Sequence, residues 1–407
     1  MKKAKIKNLL LSTAAAITLG AANTSYAEEL IKIGGIYILS GSASTYGEFA
    51  QRGINLAVEE INASGGILGR QVEMLYEDSQ GKASVAIQAA RKLVYSEEVD
   101  ALVGLDSSGV AQGMVPTMPE LQKPLIITHA ATPDVTGDLC NPFTYRISVN
   151  VAQNMKAAAM VAAETDATHW TTIGPDYAFG HQSWEYFGNY LKELKPDAQL
   201  MSETNFPRFG AEDFTPFIDR VMNSGAEGVL ISVWGGDLVN FVRQAQNRGF
   251  FDKDMELMFT VGAATEVLTA LGDQMPEGVH LSTRYWYDAY DNEVNTRFVK
   301  AYMDAYGSAP SYNAEGAYAA IYAYKKAMEA ARSADGPAVA KALSGMSLDA
   351  PNGKVTFREE DHQAMVSPNW GISGPMHPEH GIRTLTNLRI FDGEKVARSV
   401  EETGCKL

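Results

Sequence analysis

From residue 31 onward, short apolar segments alternate with stretches of helical periodicity, and few architectures accept that order. Residues 31–38 read as a strand that ends in the Ser40-Gly41-Ser42 turn. Phe49, Ala50, Ile54, Ala57, Val58 and Ile61 then recur at three and four, the spacing of one buried helix face. Gly65-Gly66 stops that helix, because glycine takes the left-handed conformation beyond a helix end without strain. Further strands are expected at 72–76, 101–104 and 124–127, with helices at 84–93 and 110–121. The pattern restarts with strands at 170–173, 228–233 and 257–261. Apolar strands separated by helices imply parallel sheets covered on both faces. Two such runs, before and after about residue 150, predict an α/β fold of two doubly wound lobes. No period of 20–50 residues recurs, so the chain is not a solenoid.

The first 27 residues have a different character. Lys2, Lys3, Lys5 and Lys7 precede an apolar run from Leu9 to Leu19, and the segment closes on Ser25-Tyr26-Ala27. A basic start, a short apolar centre and small residues before a cut describe a cleavable export signal, 1–27. The run falls short of the roughly 20 residues that span a bilayer. No cysteine follows the cut, so no lipid anchor is expected, and the predicted location is the periplasm. Export argues against nucleotides and phosphorylated intermediates as partners. Losing four lysines takes the formal charge from −15 to −19, since the segment holds no acid. That balance speaks against nucleic acid and anionic lipid. Only Cys140 and Cys405 are present, and in an oxidising compartment an even pair reads as one disulfide, two buried thiols being the alternative. The His377-Pro378-Glu379-His380 cluster reads as a surface loop, because proline disfavours the helix that would align both rings on a metal. No metal is expected.

In open parallel sheets ligands bind beyond the carboxyl ends of the strands. The loops there are 40–47, 106–109, 129–132, 174–180, 234–237 and 261–265, rich in Ser, Thr, Gly and aromatic residues. Ser107, Ser108 and Thr132 are candidate donors to a ligand carboxylate or carbonyl, with simple helix capping as the alternative. Phosphate-loop, nucleophile-elbow and zinc-helix motifs are absent, and no Gly-x-Gly-x-x-Gly follows the first strand. Neither a cofactor nor an enzymatic activity is expected. A secreted hydrolase would need Ser107 or Ser108 with His129 as base.

Several stretches in order resemble the periplasmic leucine/isoleucine/valine-binding protein family. They are Ile33-Gly34-Gly35 with Leu39-Ser40-Gly41, Tyr46-Gly47, Ile61-Asn62-Ala63-Ser64-Gly65-Gly66-Ile67, Gly104-Leu105-Asp106-Ser107-Ser108, Ile127-Thr128-His129-Ala130-Ala131-Thr132 and Asp176-Tyr177-Ala178-Phe179-Gly180. The resemblance implies a type I periplasmic-binding-protein fold, with two lobes joined by a three-crossover hinge near 145–150, 281–285 and 352–357. The lobes would comprise 28–147 plus 284–353 and 148–283 plus 354–407. It implies a monomeric receptor that delivers a small solute to an inner-membrane ABC permease, or a periplasmic sensor on the same fold. It further implies that Ser107, Ser108, Ala130 and Thr132 bind the ligand carboxylate, and that Tyr46 and Phe179 wall the site.

The second lobe departs from the amino-acid pattern. Family members that bind amino acids place an acid after the strand ending near Val261, whereas this chain has Gly262-Ala263-Ala264-Thr265 and reaches its next acid at Glu266. An unpaired buried ammonium costs several kcal/mol. Asp237 is the candidate substitute. Trp234 and Tyr285-Trp286-Tyr287 could favour a flat ligand. Both a branched-chain amino acid and an aromatic or other small carboxylate stay open, with the carboxylate favoured.

Overall fold

The structure is a computed structural model describing residues 1, 30–202 and 205–407. The export signal lies outside the described residues. Among those residues, no helix is long and apolar enough to cross a membrane.

The first lobe is built on five parallel strands: β1 (Ile31–Tyr37), β2 (Val72–Asp78), β3 (Ala101–Gly104), β4 (Leu125–Ile127) and β5 (Thr144–Arg146), in the order β2-β1-β3-β4-β5. The second lobe carries β6 (His169–Ile173), β7 (Gln199–Leu200), β8 (Gly228–Ile231), β9 (Glu256–Phe259) and β10 (His280–Thr283). A small antiparallel hairpin follows, β11 (Ser347–Ala350) and β12 (Gly353–Thr356), and then β13 (Asn369–Met376) and β14 (Arg383–Ile390). The second sheet runs β14-β13-β10-β9-β8-β6-β7. Its centre is parallel, but β13 pairs antiparallel with β10, and β14 antiparallel with β13. The parallel sheets expected from the sequence are present, and these two antiparallel strands extend the second. Residues 377–382, with the His-Pro-Glu-His cluster, are the loop between those two strands.

Central strands are buried on both faces, which explains their unbroken apolar runs. The expected helix at 110–121 is instead three short pieces, Ser108–Met114, Val115–Thr117 and Met118–Leu121. Pro116 and Pro119 lack the N–H that a continuous helix would use, so the turn tightens between them.

The chain passes between the sheets three times, after β5, after β10 and after β12. Arg146, fully buried at the first passage, donates to Gln363 Oε1 at 2.7 Å, to Thr136 Oγ1 at 2.5 Å and to the Thr132 carbonyl. Asn150 Nδ2 also donates to Gln363, at 3.2 Å. The first and third passages are therefore held together by one buried polar network.

Candidate functional site

All loops leaving the carboxyl ends of the central strands converge on one cleft between the lobes. Asp106 and Ser108 follow β3, and His129 and Ala131 follow β4. Tyr177 and Phe179 follow β6, Trp234 follows β8, Val261 follows β9 and Arg284 follows β10. Together they line a narrow cleft.

The walls are aromatic, and rings from opposite lobes touch. The Tyr46 ring lies 5.0 Å from Trp234 and 5.0 Å from His129, while His129 lies 5.5 Å from Tyr312. Trp234 is backed by Phe209, nearly parallel at 5.1 Å, and its indole N–H donates to the Tyr177 hydroxyl at 2.8 Å. That bond fixes the indole plane and satisfies its donor. The wall offers π faces to a flat ligand.

The charges are few and deeply buried. Arg284 is 6% exposed, donates to the His129 carbonyl, and stands 5.1 Å from the Tyr312 ring centre. Among the described residues no carboxylate forms an ion pair with it. Burial pulls its pKa below the usual arginine range. Asp106 accepts the Ile38 N–H on Oδ2 at 2.6 Å, leaving Oδ1 without a hydrogen bond, 3.5 Å from His129 Nδ1. Burial raises the Asp106 carboxyl to about 7. Burial and the nearby Arg284 hold His129 well below its usual pKa, so its ring is neutral. Glu266, in the first turn of the Thr265–Leu271 helix, accepts from Asn313 Nδ2 at 2.5 Å, and burial raises it to about 7.

The residues expected from sequence divide into those that face the cleft and those that do not. Ser108 and Phe179 line it, and Tyr46 stands in its aromatic wall. The Ser108 hydroxyl accepts the Thr132 N–H at 3.1 Å, which leaves its own proton free to donate. Ser107 caps the Ser108–Met114 helix through its backbone and lies beside the Tyr177 hydroxyl. Ala130 spends its N–H on the Leu105 carbonyl at 2.8 Å, so its neighbour Ala131 faces the cleft instead. The Thr132 hydroxyl accepts the Asp134 N–H at 3.4 Å, the capping alternative, so this residue positions Ser108. Asp237 does not line the cleft. Its carboxylate accepts from Gly210 N at 2.7 Å and from Ser42 Oγ at 3.3 Å, tying two loops together across the lobes. Tyr285 packs in the crossover, stacked on Tyr290 with its hydroxyl on Asn295 at 2.5 Å.

Sequence reasoning missed Arg284 and Asp106. The signal for Arg284 was a lone cation within Ser282-Thr283-Arg284-Tyr285-Trp286-Tyr287, at the end of a buried strand. No hydrogen bond joins either serine to His129 among the described residues, so the arrangement required of a hydrolase is not formed.

Residues 30–370 match the family model described as periplasmic binding protein. The chain belongs to the periplasmic binding protein family. Members bind solutes and are not enzymes. A curated relative, the Leu/Ile/Val-binding protein homolog 6 of Brucella melitensis, is 27% identical over 364 residues, covering 87% of this chain and 90% of the relative. Among solved structures, an amino acid ABC transporter substrate-binding protein from Pseudomonas fluorescens Pf-5 superposes with a TM-score of 0.82 at 23% identity, covering 93% of this chain and 99% of that one. A solute-binding protein from R. palustris in complex with benzoate gives a TM-score of 0.82 at 22% identity, covering 93% and 100%. At these identities the likeness establishes the type I fold.

Proposed function

We propose that this periplasmic binding protein is the receptor of an ABC importer and captures a small aromatic carboxylate for an inner-membrane permease. In this reading export removes residues 1–27, and the mature protein acts in the periplasm as a monomer without a lipid anchor. Its lobes are 28–147 plus 284–353 and 148–283 plus 354–407, with the final turn returning to the first lobe.

Arg284 carries the reading. A buried guanidinium without a carboxylate partner is costly, and an anionic ligand relieves that cost. Ser108 adds a hydroxyl donor, while Tyr46, Tyr177, Phe179 and Trp234 present rings to a flat body. Asp106, which lines the cleft, and Glu266, in the helix after Val261, are both raised toward neutrality by burial, and Asp237 is engaged elsewhere, so an ammonium would find poor compensation. Solved structural neighbours include complexes with benzoate, 4-hydroxybenzoate and 3,4-dihydroxybenzoic acid, which makes those three compounds the natural panel.

Isothermal titration of the mature protein with these acids and with leucine tests the proposal. At least one aromatic acid should bind while leucine does not. Arg284→Gln should weaken that binding at least ~100-fold, the scale of losing a bidentate charge-assisted pair. Tight leucine binding, or an unaffected Arg284→Gln variant, would overturn it.

A further inference from the structure

Asp106 has no evident place in an anion site, since a second carboxylate opposes the ligand it should help to hold. Its surroundings suggest a use. The two atoms left without partners, Asp106 Oδ1 and His129 Nδ1, face each other at 3.5 Å inside the cleft that Arg284 also lines. Oδ2 is committed to the Ile38 N–H, so an added proton belongs on Oδ1, the buried oxygen left without a hydrogen bond.

We propose that this receptor takes up one proton as it binds its anionic solute, and that Asp106 Oδ1 is where the proton goes. Rested on the carboxylate reading above, the inference names how the same site is regulated. The incoming carboxylate and a charged Asp106 would share one water-poor space with a single guanidinium. A proton from solvent removes the excess negative charge and turns Asp106 from a repelling acceptor into an O–H donor. That donor can bond the solute carboxylate, or rest on the neutral His129 ring. Binding therefore strengthens as pH falls.

Other groups around Asp106 do not account for such an uptake. Asp78, on β2, is lowered by its hydrogen bonds and stays charged. Tyr37 on β1 and Tyr312 on the Tyr312–Ala331 helix are raised by burial and stay neutral. Arg284 from β10 remains cationic, and His129 after β4 stays neutral because burial and Arg284 oppose its charging. Glu266 alone shares the same range, being raised by burial to about 7. It is bonded to Asn313 and does not line the cleft.

The sign follows from linkage. With the free carboxyl near 7 and the bound one driven higher by the solute charge, affinity is greatest below pH 7 and falls about tenfold per unit above it. Proton uptake should be about one half at pH 7 and close to one at pH 8. Calorimetry of benzoate, 4-hydroxybenzoate and 3,4-dihydroxybenzoate in phosphate and in Tris measures it directly, because the buffers differ in ionisation enthalpy. Asp106→Asn should abolish the uptake and flatten the pH profile, whereas Glu266→Gln should keep both. Binding without uptake in the native protein, or uptake that survives in Asp106→Asn, overturns the inference alone. If no panel acid binds at all, the carboxylate reading falls and takes this one with it.

Discussion

The Ser108 hydroxyl both accepts the Thr132 N–H and faces the cleft, while the Thr132 hydroxyl turns back to cap residues 133–136. The two residues should therefore respond differently to the same change. Ser108→Ala removes a charge-assisted hydrogen bond of roughly 1.5–3 kcal/mol, so solute affinity should fall about 10- to 150-fold. Thr132→Ala removes a cap, so stability should drop by ~1 kcal/mol with a smaller effect on affinity. Titration and thermal unfolding of both variants check this, and equal affinity losses would contradict it. The contrast also shows what the sequence reveals about single residues. A serine at a strand's carboxyl end is legible as a donor, because backbone periodicity places it. Whether the next hydroxyl faces ligand or backbone depends on rotamer and neighbours, which spacing does not encode. Arg284 and Asp106 escaped for the same reason: their importance comes from buried charge whose hydrogen bonds go to backbone groups, and that exists only once the chain is folded.

At the scale of elements, the parallel strands were readable because burial on both faces leaves an unbroken apolar signature. The β13–β14 pair was not. β14 is an edge strand with exposed and half-buried residues, Arg383 to Ile390, and it carries no apolar run. The most consequential element contact is equally silent in sequence. The N–H of Gly236, at the start of the Gly235–Asn247 helix, donates to the Ser42 carbonyl of the first lobe at 3.1 Å. Ser42 Oγ donates to Asp237, which in turn holds Gly210 in the loop that carries Phe209 onto Trp234. A Cβ at position 236 would sit 2.4 Å from the Ser42 carbonyl oxygen, a contact that exists only while the lobes are together. Gly236→Ala should leave each lobe's own packing intact and penalise closure by about 1–3 kcal/mol, the usual cost of overpacking. Stopped-flow titration should show that penalty mainly as faster solute release. Loss of thermal stability without any change in release would mean that position 236 acts within its own lobe.

The whole molecule has a fourth link between its lobes, the C-terminal tail, and a disulfide closes it. After β14 the chain runs over the Val151–Ala163 helix of the second lobe through Gly393–Val396. It then crosses at Arg398, whose guanidinium reaches Tyr186 Oη in the second lobe and the Pro133 carbonyl in the first, both at 3.3 Å. The Val400–Thr403 turn packs on Pro133–Thr136, and Cys405 is bonded to Cys140, with their Cα atoms 5.6 Å apart. The pairing expected from an even cysteine count is thus present, and its placement makes it a strap as well as a staple. Closing a loop of 265 residues restricts the unfolded chain, so replacing both cysteines by serine should cost roughly 2–5 kcal/mol of stability. It should also affect motion. The three crossovers and the Gly236–Ser42 bond remain in the variant, so the closed form keeps its contacts. The unbound form loses the tether that limits how far the lobes part. Solution scattering should therefore show a larger radius of gyration for the unbound variant than for the unbound native protein, with no difference once solute is bound. Identical unbound profiles would mean that the disulfide stabilises the fold without limiting the hinge.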